Sequence, residues 1–144
     1  MNKFLLCLFL ISSPLIFKAQ TQNSKGALDG KTFTVDVYKE GKKKPLDVDE
    51  LKFNLGKFKS KYFADWGFTK SSLYEITSID SSSAENKIYS FSAAVINDIK
   101  ETMTWSGTIA GEEIEGSAEI VNTKGVKKYS LTFNGKLKKK PGQK

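Results

Sequence analysis

The chain has 144 residues, 39% of them hydrophobic and 27% charged, with a formal net charge of +7, the balance of one ordinary globular domain. It contains no histidine, which removes Ser–His and Cys–His nucleophilic catalysis and nearly all zinc and haem ligation patterns. Every basic residue is lysine, so the planar fork that arginine offers to phosphate or guanine is missing, and no nucleic-acid partner is expected.

Residues 1–20 read as a signal peptide. Lys3 supplies the positive start, Phe4 to Ile11 is an apolar run that Leu15, Ile16 and Phe17 continue, and Lys18 ends it. At roughly 14 residues, interrupted by Ser12, Ser13 and Pro14, the run is too short for a bilayer span. Cleavage is expected after Ala19 or Gln20, leaving an exported protein, periplasmic or secreted, with no transmembrane span. The single cysteine, Cys7, lies inside this segment, so the mature chain cannot form a disulfide.

Residues 21–27 read as a flexible leader, and Leu28-Asp29-Gly30 as a turn. From there the pattern has period two almost to the end. Phe33, Val35 and Val37 mark the first strand, and Gly41 to Pro45 a lysine-rich turn. Leu51 and Phe53 mark the second strand; Phe58, Ser60 and Tyr62 share one side of the third. Ala64 to Ser71, with Asp65, Trp66, Gly67 and Phe68, predicts an irregular crossing or a single helical turn. Ser72 to Ile79 and Ile88 to Ile96 predict the fourth and fifth strands. Met103, Trp105, Gly107 and Ile109 share a face of the sixth. In the seventh, Ile114, Gly116, Ala118 and Ile120 face one way while Glu113, Glu115, Ser117 and Glu119 face the other. Tyr129, Leu131, Phe133 and Leu137 line the last.

This is an all-β pattern of about eight short strands joined by turns, without a helix long enough for a parallel crossover. It predicts a single antiparallel up-and-down β-barrel over residues 28–138, with a β-sandwich as the alternative, followed by a disordered basic tail at 139–144. A membrane barrel would carry its apolar face outward and end in an aromatic residue, whereas this chain ends Pro141-Gly142-Gln143-Lys144 and its polar faces are heavily charged.

Carboxylates are the candidates left for acid–base work. Asp47, Asp49 and Glu50 read as a cluster in one turn, without the spacing of a calcium loop. Glu112, Glu113 and Glu115 read as an exposed strand face, and Asp65 as the cap of a helical turn. No catalytic residue, metal ligand or cofactor is assigned, and no enzyme activity is expected. Lysines gather at Lys42-Lys43-Lys44, at Lys57, Lys59 and Lys61, and at Lys138-Lys139-Lys140. They are either a patch for an anionic surface or polymer or solvated loop tips and strand faces. Interspersed acids and the lack of an aromatic ladder favour the second.

The aromatic residues are the more suggestive set. Tyr62, Trp66, Tyr74, Phe91, Trp105 and Tyr129 fall on strands or at a strand end, interleaved with Ser60, Ala93, Gly107, Gly116 and Ala118. Large rings beside gaps can line an apolar pocket for a small hydrophobic ligand, or the small residues can simply let a narrow barrel close.

Several short elements carry a resemblance: Leu28-Asp29-Gly30-Lys31-Thr32-Phe33, Leu51-x-Phe53, Gly56-Lys57-Phe58-x-Ser60, Trp66-Gly67-Phe68, Met103-x-Trp105-x-Gly107-x-Ile109, Gly111-x-x-Ile114-x-Gly116 and Gly135-x-Leu137. Together they resemble exported bacterial proteins of uncharacterised function with a lipocalin-like (calycin-like) barrel. The resemblance implies a barrel that binds a small apolar or amphipathic ligand. The alternative is an envelope-associated interaction or structural protein that acts through its surface and has no ligand cavity.

Overall fold

The computed structural model describes residues 26–83 and 85–142. The signal peptide expected at 1–20 and most of the leader expected at 21–27 lie outside these residues. Eight strands run in chain order: β1 (Thr32–Lys39), β2 (Asp47–Asn54), β3 (Lys57–Ser60), β4 (Ser72–Asp80), β5 (Ile88–Ile96), β6 (Thr102–Ala110), β7 (Glu113–Val121) and β8 (Lys127–Leu137). Each pairs antiparallel with its sequence neighbours, and β8 returns to β1 to close the barrel, from Phe33 opposite Leu137 to Lys39 opposite Leu131. Closure leaves no sandwich and no β1 or β8 edge.

Alternation places the apolar side chains inside. Phe33, Val35 and Val37 of β1, Leu51 and Phe53 of β2, and Ile114, Ala118 and Ile120 of β7 are buried. Lysines and glutamates take most of the intervening outward positions of β2, β3 and β7, with Val48, Asn54 and Ser117 among the rest. This is the reverse of the arrangement a lipid-facing barrel needs. An eight-stranded barrel has an interior just wide enough for side chains to fill, and here rings fill it. Phe53 meets Phe33, Phe58, Tyr74 and Phe91 with centroids 5.1–6.1 Å apart. Trp105 meets Phe58, Phe63 and Phe133 at 5.3–5.7 Å.

Room for these rings comes from small residues on the wall. Gly107 of β6 lies opposite Gly116 of β7. A Cβ on Gly116 would come within 2.2 Å of the Ser106 carbonyl oxygen and 2.7 Å of Phe133 Cζ. One on Gly107 would sit 3.0 Å from both Phe133 Cζ and Phe91 Cε1.

The departures from the expected strand pattern share one cause. The parity of Phe58 and Ser60 predicts Tyr62 in the same strand, yet β3 ends at Ser60 and Tyr62 begins a 3-10 turn, Tyr62–Trp66. Nor do Asp47, Asp49 and Glu50 form a turn; all three lie on β2, where Asp49 shares the inward parity of Leu51 and Phe53 and is 1% exposed. Its carboxylate accepts hydrogen bonds from the Ser60 hydroxyl at 2.5 Å and from the Lys61 and Tyr62 N–H groups at 3.0 and 2.8 Å. Ser60 Oγ in turn accepts from Phe63 N–H at 3.1 Å. The amides that would have continued β3 are thereby drawn inward. Asp65, expected to cap this turn, makes no capping bond; Asp49 and Ser60 satisfy the free amides instead. Gly67, at φ 90°, ends the turn with its N–H on the Ala64 carbonyl, and Phe63 and Phe68 are left buried across that mouth of the barrel. The detour leaves β3 and β4 joined through just two residue pairs, Lys57–Leu73 and Phe58–Ser72.

The opposite mouth is closed by the turn before β1. Leu28 is fully buried, and its N–H donates to the Tyr74 hydroxyl at 3.2 Å. That hydroxyl donates to Asp29 at 2.9 Å, and Asp29 also accepts from Gly56 N–H. Burial, reinforced by the hydrogen bond to Asp29, pushes the Tyr74 pKa up to about 12.

Two predictions follow from this architecture. Gly116→Ala should destabilise the protein by about 1–3 kcal/mol, because backbone and a core ring must both move, and urea unfolding will read the loss. Burial holds the Asp49 pKa above its ordinary 3.8, outweighing its hydrogen bonds. A raised folded-state value means that this group's contribution to stability is complete below the unfolded pKa and is lost as pH climbs through the folded one. Asp49→Asn cannot titrate, so its stability relative to wild type should improve between about pH 3 and about pH 7. A difference in unfolding free energy that stays flat across that range would contradict the assignment.

Candidate functional site

The six aromatic residues singled out in the sequence divide into two groups. Tyr74, Phe91 and Trp105 point inward and are 7%, 1% and 1% exposed. They belong to the filled interior: Phe91 and Tyr74 each pack edge-on against Phe53, and Trp105 lies among Phe58, Phe63 and Phe133. Ala93 and Ala118 stand opposite Trp105 on either side in the ladder, so the space these two small residues leave is beside the indole.

Tyr62, Trp66 and Tyr129 are half-buried and gather at the mouth covered by the 3-10 turn. Trp66 lies 6.0 Å from Tyr62 and 5.3 Å from Tyr129 between ring centroids, and 5.2 Å from the buried Phe63 beneath. The Lys39 ammonium stands 5.6 Å from the centre of the Tyr129 ring, within cation–π range. The sequence places these residues in three separate segments. Closure of β8 on β1, together with the inward pull of Asp49 on the segment after β3, brings them together.

Two concavities on the outer wall bear on the candidate residues. One of about 520 Å³ runs between β2–β3 and the C-terminal segment, lined by Lys52, Lys59, Lys61 and Lys138 to Lys140. Residues 139 and 140, assigned by sequence to a tail, form part of that lining. A smaller one of about 270 Å³ brings Asp65 near Tyr62, Asp49 and Glu50. Two of its three carboxylates are committed elsewhere. Both Asp49 oxygens accept the bonds that bend the chain after β3. Glu50 is held by the Lys138 ammonium at 2.8 Å, which keeps its carboxyl below the ordinary range. Glu113 and Glu115 occupy the outer face of β7, as their alternation implies. No cluster of three or more metal-binding side chains occurs among the described residues.

No protein-family model, curated protein or solved structure matches this chain. Two features that matter for the surface escaped the sequence reading. Asp49 was legible in principle, because an aspartate in phase with Leu51 and Phe53 must face the core. The lysine-lined groove was not, because its walls lie at opposite ends of the domain sequence.

With Trp105 enclosed by rings, Trp105→Ala should cost about 3–5 kcal/mol. Trp66→Ala, at the half-open mouth, should cost clearly less. Urea midpoints of the two variants test this, and equal losses would mean that the mouth is as tightly packed as the core.

Proposed function

We propose that this protein is an exported, lipocalin-like barrel that serves as a rigid scaffold and acts through its outer surface. The observation that carries this reading is the ring-to-ring packing of the interior. Where an apolar ligand would sit, Phe53, Phe58, Phe91, Trp105 and Phe133 are in mutual contact. The outward faces, by contrast, hold charged and polar side chains on a wall closed by continuous strand pairing, a suitable platform for a partner in the cell envelope or outside it. No catalytic role is assigned to any residue.

A second reading rests on the mouth. Tyr62, Trp66 and Tyr129, with Lys39 beside them, offer half-exposed rings and one cation. That combination suits a small amphipathic ligand lying across the barrel end rather than inside it.

The protein should first be purified after export. Its N-terminal residue should be Gln20 or Thr21; an intact residue 1–20 segment would overturn the cleavage expectation, and retention of the whole protein in the cytoplasm would overturn the export reading. Native mass spectrometry of that material should give the mass of the chain alone. A stoichiometric apolar compound retained by wild type but lost from Trp66→Ala would favour the mouth reading, and one lost from Trp105→Ala would restore an interior site. Capture from an envelope extract at low and at high salt tests the surface reading, which fails if nothing is retained under either condition.

A further inference from the structure

Lysines gather on the outer face of β2 and β3. β2 and β3 present Lys52, Lys57 and Lys59 outward, with Lys61 next in line, and Lys52 stands directly opposite Lys59 in the ladder. On β7, four strands further round the ring of eight, the outward residues include Glu113, Glu115 and Glu119. Like charges directly opposite across a ladder are destabilising. None of the ion pairs among the described residues uses Lys52, Lys59 or Lys61.

The backbone shapes this charge into a groove. Lys138 N–H donates to the Thr32 carbonyl at 2.7 Å, which carries the C-terminal segment past the start of β1. Lys138, Lys139 and Lys140 then line one part of the 520 Å³ concavity, and Lys52, Lys59 and Lys61 another. Six lysines line it with one carboxylate, Glu50, which Lys138 holds, while Lys139 pairs with Glu112 beyond that lining at 3.6 Å.

We propose that this groove binds a linear acidic polysaccharide through its carboxylate or sulfate groups. Lysines two apart on a strand recur about every 6.6 Å, and opposed ones lie about 5 Å apart, so a chain with a charge on each successive sugar meets several ammonium groups at once. A concave seat accepts a chain, whereas a bilayer presents a broad surface. No aromatic ring lines the groove, so it lacks the stacking platform on which single-stranded nucleic acids depend. Ammonium groups act as point charges and do not require the paired geometry that arginine provides. On β7 the outward glutamates are flanked by lysines of β8, with Glu119 paired to Lys127 and Glu113 opposite Lys136, so no comparable run of like charge forms there. This proposal deepens the surface reading above and rests on it; if polysaccharide binding fails while salt-dependent partner capture persists, the groove proposal alone falls.

The test compares two variants of equal charge change. One carries Lys52→Gln, Lys59→Gln and Lys61→Gln in the groove; the other carries Lys42→Gln, Lys43→Gln and Lys44→Gln in the turn between β1 and β2. Binding of polygalacturonate, dextran sulfate, polyadenylate and phosphatidylglycerol vesicles is measured by titration calorimetry at low and moderate salt. Wild type should bind one or both polysaccharides saturably, with affinity falling as salt rises. The groove variant should lose at least about tenfold in affinity and the turn variant less than about twofold. Because the substitution relieves Lys52–Lys59 repulsion, the groove variant's Tm should equal or exceed that of wild type, which separates lost binding from lost folding. Lys59→Glu set against Lys43→Glu provides a comparison of equal charge change if the triple variant does not express. Absence of saturable polysaccharide binding, equal losses in the two variants, or tighter binding of polyadenylate or vesicles would each overturn the proposal.

Discussion

A closed ring of eight strands encloses a space that cannot stay empty and cannot hold much, and the rest of the molecule follows from how that space is filled. Rings do most of the filling here. Phe53 alone makes four aromatic contacts, and edge-to-face pairs contribute about 0.5–1.5 kcal/mol each beyond the area they bury. Such bulk in so narrow a barrel requires compensating gaps in the wall. Gly107 and Gly116 face each other where Phe133 and Phe91 press outward, and Ala93 and Ala118 flank the indole of Trp105. Large and small residues are one solution to one constraint, and the barrel, which contains no cysteine, builds its core without disulfides.

Strand pairing closes the sides of a barrel and leaves its two mouths open. This chain seals them with polar groups that hold apolar plugs in place. At one mouth Asp49 is buried at a cost of several kcal/mol, offset in part by three hydrogen bonds to a charged acceptor worth about 1.5–3 kcal/mol each. What those bonds secure is the burial of Phe63 and Phe68. At the other, Asp29 and Tyr74 hold Leu28 in position. The first seal also shortens β3, so the β3–β4 junction is the thinnest seam in the wall. One buried carboxylate thus sets both the closure of a mouth and the position of the weakest strand pairing.

The strands were legible because a half-buried antiparallel strand writes its two faces alternately into the sequence, as in Ile114 to Ile120. Legibility failed where a side chain competes with the ladder for backbone amides. Tyr62 continues the parity of Phe58 and Ser60, and nothing local reveals that Asp49, more than ten residues earlier, takes its N–H. The inward orientation of Tyr74, Phe91 and Trp105 was equally readable from period two. Whether an inward ring lines a pocket or fills a core depends on what reaches it across the barrel, here Phe53, Phe58 and Phe133. Those distances are set by closure and strand tilt, neither of which is written within a single segment. The same limit hid the mouth cluster and the basic groove, whose parts meet because β8 returns to β1.

A filled interior shifts the chemistry outward, and the outer wall bears the marks of that shift. Nothing in the folding of a barrel requires lysine opposite lysine on β2 and β3. That pairing works slightly against stability. It also gathers positive charge along one side of the barrel, a field that would steer an approaching polyanion toward the β2–β3 face. The interior confers rigidity on this arrangement. With the rings interlocked, Lys52 and Lys59 project from paired strands and Lys138 is tied by its N–H to the Thr32 carbonyl, and the main entropic cost of binding there falls on the lysine side chains and on the partner.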